Sequence, residues 1–180
     1  SYVHPLAAHG ESSRNTRGME RSDTETASPR SATIDATFAQ FAGIVFLLAA
    51  LFVVAGPYVL LWGRDAFDAA ARWPTAVAIF AGLLVHELLH CVGFLLGGAP
   101  RASVRIGYDW KRVLPFASCS EPLRCSDYRF AVVLPTLVLG LLPAALGLVT
   151  GNGEAAIFGA LLIGTAAGDM LILWALRGVP

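Results

Sequence analysis

The chain is 180 residues long, 56% hydrophobic and only 14% charged, with zero formal net charge and a mean hydropathy of +0.62. A soluble domain carries about a quarter charged residues, and a balanced charge without a basic block excludes a nucleic-acid binder. Long apolar runs in their place predict an all-α, multi-pass membrane protein.

Residues 1–37 are polar, rich in Ser, Thr, Arg and Glu, and lack apolar periodicity. They are expected to be a disordered tail, followed by a single membrane domain over residues 38–180. His4 and His9 lie in the tail and are discounted as ligands, because a mobile segment makes a poor catalytic site. Residues 41–62 form a first span, long enough to cross a bilayer. A kink is expected at Gly56-Pro57, and Tyr58 and Trp62 suit the membrane interface at its far end. After a short loop, residues 75–97 form a second span, residues 130–149 a third containing Pro135 and Pro143, and residues 155–176 a fourth. Gly151-Asn152-Gly153 makes a tight turn between the last two. Four transmembrane helices are therefore expected, with one sizeable loop, residues 99–128.

Orientation follows from Lys and Arg. With the N-terminus in the cytosol, that side holds Arg14, Arg17, Arg21, Arg30, Arg101, Arg105, Lys111, Arg112, Arg124, Arg129 and Arg177, against Arg64 and Arg72 outside. Both termini and the 99–128 loop are assigned to the cytosol. Of the three cysteines, Cys91 falls in a span and Cys119 and Cys125 in that loop, so no disulfide is expected. Within the loop, Val104, Ile106, Tyr108 and Trp110 alternate with Arg105, Gly107, Asp109 and Lys111, the period of a strand. A second extended piece over residues 113–119 closes a hairpin. Two readings stand for this β-ribbon between helices 2 and 3. Its aromatics rest on lipid, or Val104, Ile106 and Tyr108 belong to an edge that binds an extended peptide by β-augmentation.

The second span contains His86-Glu87-Leu88-Leu89-His90, an H-E-x-x-H pattern with no other charged or strongly polar side chain between Thr75 and Gly97. Residues four apart share a helix face, so His86 and His90 point the same way, as two ligands of one zinc ion must. Glu87 sits one position round, placed to act as general base on water rather than as a ligand. The plainer alternative is two buried histidines satisfied by hydrogen bonds. Ionisable groups inside a membrane are costly and usually functional, which favours the metal.

A catalytic zinc takes three protein ligands, and the spans offer no further histidine. Asp65, Asp68 and Glu154 lie at the outer side; Asp109, Glu121 and Asp127 are loop residues; Cys91 points off the ligand face. Asp169 remains, inside the fourth span, where an unpaired carboxylate costs about 2.5–3.5 kcal/mol. His90 and Asp169 each lie seven residues before the cytosolic end of their span, roughly 10 Å in. Gly93-x-x-x-Gly97 and Gly164-x-x-x-Gly168 predict close approach of these two helices, and Thr165 is expected to hydrogen-bond Asp169 from one turn away.

These residues resemble the site-2 protease type of intramembrane zinc peptidase and, more closely, the family of membrane zincin peptidases. The resemblance runs from Thr75 to Leu176 through residues 86–90, Cys119-Ser120-Glu121-Pro122-Leu123, Tyr128-Arg129, Pro135 and Gly168-Asp169. It implies Zn2+ at His86, His90 and Asp169, Glu87 as catalytic base, and a peptide or membrane-protein substrate. One departure is that Asp169 precedes Met170 with no Asn or Pro beside it, so the asparagine that helps site-2 proteases hold a substrate carbonyl is missing. The expected function is a membrane metalloprotease acting near the cytosolic face. The alternatives are a non-catalytic metal-binding membrane protein, which would need no Glu87, and a metal-ion transporter, which would show internal repeats.

Overall fold

The structure is a computed structural model that describes residues 2–3, 36–65, 68, 73–110 and 114–178. The expected disorder of residues 4–35, with His4, His9 and the arginines there, lies outside these residues, as do Arg72, Lys111 and Arg112. Within the tail, Tyr2–Val3 form a short strand, β1, paired antiparallel with β4, Leu123–Arg124. The described chain is mostly helical. The helices are α1 (Ala36–Trp62), α2 (Trp73–Leu96), α3 (Cys125–Pro135), α4 (Leu142–Thr150), α5 (Gly153–Thr165) and α6 (Ala167–Ala175). A wider π turn, Thr136–Leu141, joins α3 to α4.

Among the described residues three helices are long and apolar enough to cross a membrane: residues 40–62, α2, and the continuous run Cys125–Thr150. A fourth span is formed if α5 and α6 count as one, but they are bent by 44° where the helix breaks at Ala166. The unbroken fourth span expected from sequence is thus two helices. Ala166 N–H bonds Ile163 O in a tightened last turn, the Thr165 hydroxyl donates back to Leu162 O (2.9 Å), and α-helical bonding resumes with Met170 N–H to Ala166 O. Hydroxyl back-bonding and clustered small residues, here Gly164, Thr165 and Gly168, weaken a helix at such a point. The outward faces of α1 and α2 carry exposed Phe41, Leu48, Phe52, Val77, Phe80 and Leu84, a surface compatible with a multi-pass membrane protein.

One core joins α1 to α4 and α5 through Val54, Tyr58, Ala144, Ala156 and Ala160. Tyr58 is fully buried and its hydroxyl donates to Gly151 O (2.6 Å), while Trp62 Nε1–H donates to Leu148 O (2.9 Å). Tyr58 therefore ties the first helix to the α4–α5 turn. That turn is the predicted one. Gly151 caps α4 at φ 74°, a left-handed conformation that glycine adopts without cost, and Asn152 Oδ1 accepts from Ala155 N–H to start α5. A second core, Phe94, Ala99, Cys119, Leu123 and Ala131, lies under the ribbon.

The ribbon is β2 (Val104–Asp109) paired antiparallel with β3 (Leu114–Cys119), Ile106 opposite Ala117 and Gly107 opposite Phe116. Ser120 N–H bonds Ser103 O. That single bond joins directly opposed residues, so by the antiparallel alternation 105/118 and 107/116 are the hydrogen-bonded pairs, while the backbone groups of 104, 106, 108, 115, 117 and 119 point away from the partner strand. Pro115, which has no N–H, falls at such an outward position and breaks no ladder bond.

Candidate active site

His86 and His90 lie one turn apart on α2 and are 6% and 7% exposed. Their rings meet edge to face, with centroids 4.8 Å apart. Both turn Nε2 toward Asp169: His86 Nε2 lies 3.0 Å from Oδ2 and His90 Nε2 3.3 Å from Oδ1. One ligand atom from each of the three falls within 4.8 Å of the others, a set able to hold a metal ion. Two imidazole nitrogens and a carboxylate oxygen are a donor set that suits zinc. The break at Ala166 puts Asp169 in the first turn of α6, where the positive end of the helix dipole favours a carboxylate.

The outer nitrogens differ. His90 Nδ1 lies 3.0 Å from Ala131 O and donates to it, whereas His86 Nδ1 is buried with no hydrogen-bond partner. Glu87 is outside the group of three and reaches the ribbon instead: its Oε2 accepts from Ala117 N–H at 2.8 Å. Because Ala117 presents its N–H outward from the β2–β3 ladder, the carboxylate is held without breaking a strand pair. His86 and Glu87 also line a cavity of about 720 Å³. Its wall also includes Ile44 and Leu47 of α1, Pro115 of β3 and Gly164, Thr165 and Gly168 at the α5–α6 break.

The structure thus brings His86, His90 and Asp169 together and sets Glu87 beside them, but the other expected residues are placed differently. Val104, Ile106 and Tyr108 are on β2, while the strand next to Glu87 is β3, so the outer edge of β2 faces away from the carboxylate. Val104 packs on the second core, and Ile106 and Tyr108 are exposed. Thr165 does not bond Asp169, because its hydroxyl goes to Leu162 O on its own side of the helix break. The glycine pairs serve other neighbours too. A Cβ on Gly93 would meet Ala131 and one on Gly97 would meet Asp127, both on α3, whereas one on Gly164 would meet Leu47 of α1 and one on Gly168 would meet nothing within 4 Å. Sequence reasoning missed the Ala117 N–H, the Ala131 carbonyl and the wall residue Pro115. Ala117 and Pro115 were within reach, since both lie in the predicted second strand.

Among known proteins, the model of a family described as "putative zincin peptidase" matches residues 79–180, more than half of the chain. No curated protein and no solved structure matches it.

Proposed function

The chain belongs to that zincin peptidase family, and from this premise we propose that it is a membrane-embedded zinc metalloprotease hydrolysing peptide bonds near the cytosolic face of the bilayer. The observation that carries the proposal is the convergence of both Nε2 atoms on the Asp169 carboxylate, with the Glu87 carboxylate held alongside and open to a cavity. His86, His90 and Asp169 would hold the zinc. Bound there, zinc supplies Lewis acidity that polarises a scissile carbonyl and acidifies water. Glu87 takes a proton from the attacking water and later returns it to the leaving amine. The Ala117 N–H fixes one carboxylate oxygen and so aims the other. The cavity beside it, walled by helices and one strand, gives a substrate room next to the carboxylate.

The cytosolic placement rests on charge. Arg101, Arg105, Arg124 and Arg129 belong to the ribbon end of the helices, and Arg129 donates to Leu176 O, which brings Arg177 to that end as well. Arg64, past the other end of α1, is the opposing basic residue among those described. The test is zinc analysis and cleavage of a fluorogenic peptide library by the purified protein and its Glu87→Gln variant. The substituted amide keeps an oxygen for Ala117 N–H, so the variant should retain zinc and lose about 10²–10⁴-fold in rate. A variant cleaving at the parent rate, or a parent that holds no zinc, refutes the reading.

A further inference from the structure

A carbonyl inside an α-helix accepts from the N–H four residues further on. For Ala131 that donor is missing, because residue 135 is proline. A proline there has no N–H, and its ring presses on the carbonyl four residues back. The next N–H, that of Thr136, does not substitute, since it bonds Val133 O. In a membrane span a released carbonyl finds no water and must be satisfied within the protein. It is satisfied by His90 Nδ1, at 3.0 Å in a buried contact. Gly93, one turn beyond His90, lets α3 come this close: a Cβ there would fall 2.5 Å from Ala131 Cα.

A carbonyl oxygen can only accept. Held against it, the His90 ring keeps its proton on Nδ1 and leaves the Nε2 lone pair, on the Asp169 side, for a metal. We propose that Pro135 is a positioning residue for the metal centre: by depriving Ala131 of its helical donor, it frees the carbonyl that sets the tautomer and orientation of His90. The inference rests on the zinc reading above. It also separates the two histidines, because His86 Nδ1 has no such backbone partner.

Pro135→Ala and Pro135→Gly both restore an N–H at 135. The full chain in detergent micelles is titrated with zinc against a fluorescent chelator, and the histidine rings of the zinc-loaded protein are followed by ¹⁵N NMR. In both variants zinc affinity should fall about 10–100-fold, the usual consequence of losing an outer partner of a ligand. The His90 Nδ1 proton, slow to exchange in the parent, should exchange faster while the His86 signals stay in place. Pro135 is fully buried, so Leu162→Ala, which empties another fully buried position, controls for lost volume and should leave His90 exchange as in the parent. Parent-like affinity with a protected Nδ1 proton in both proline variants overturns the inference, as does an equal effect from Leu162→Ala. A parent that binds no zinc refutes the zinc reading itself, and that measurement is made first.

Discussion

Gly93→Ala adds one methyl group where α2 and α3 touch. Its Cβ would lie 2.5 Å from Ala131 Cα and 2.8 Å from Ala131 Cβ. Non-bonded carbons settle at about 3.5–4.0 Å, so α3 has to retreat by about 1 Å. The Ala131 carbonyl moves with its helix, and its 3.0 Å contact with His90 Nδ1 opens toward about 4 Å, beyond hydrogen-bond range. Overpacking of this kind costs about 1–3 kcal/mol, and the stranded buried acceptor adds about 1–3 kcal/mol. The first cost lowers the melting temperature. The second releases the His90 ring and lowers zinc affinity by about 10–100-fold. Gly168→Ala is the matched control, because nothing lies within 4 Å of a Cβ at that position and the change should stay within about 0.5 kcal/mol. Thermal denaturation and chelator competition on the two variants in detergent decide the matter. Gly93→Ala melting and binding zinc as Gly168→Ala does would refute the close-approach argument.

Asp169→Ala should lose most of the zinc while the helices stay inserted, a larger effect than the roughly 10–100-fold cost of an outer-partner change; one tightly held zinc per chain in that variant would show that Asp169 is not a ligand. Ala117→Pro removes the N–H that holds Glu87 Oε2 without breaking a β2–β3 ladder bond. Turnover is expected to fall about tenfold or more, as for other small misplacements of a catalytic group, with zinc content unchanged. Equal turnover would mean that the ribbon does not position the base. On orientation, the native cysteines are all buried, so Asp109→Cys reports the ribbon alone. It should stay unlabelled by a membrane-impermeant thiol reagent on intact cells, and rapid labelling would reverse the orientation.

How much of the site was legible depends on which kind of contact built each part. His86, Glu87 and His90 could be read because an i, i+4 pair shares a helix face whatever the helix packs against. Asp169 could be reached by elimination, since a carboxylate inside an apolar run demands a partner and the spans offered few. The second strand of the ribbon was readable from its own composition. The partners of the small-residue faces were not. Gly93 and Gly97 announce that some helix comes close, and α3 is the one that does; Gly164 meets α1. The two glycine pairs therefore do not face one another, although His90 and Asp169 do meet.

Asp169 sits just past the break at Ala166, and the local signal for that break is faint: no proline, only a threonine that bonds backward and glycines on either side of it. Pro135 shows the converse. A proline in a span is plainly visible in sequence and predicts a freed carbonyl four residues earlier, but which side chain takes that carbonyl is a tertiary fact. Here the taker is a ring whose other nitrogen faces Asp169. A backbone defect in one helix thus becomes a constraint on a side chain of another, and the low polarity of the surroundings makes that constraint strict. Turning the His90 ring away would leave the buried Ala131 oxygen without its Nδ1–H donor, so the geometry that suits a metal ligand is also the one that satisfies the helix.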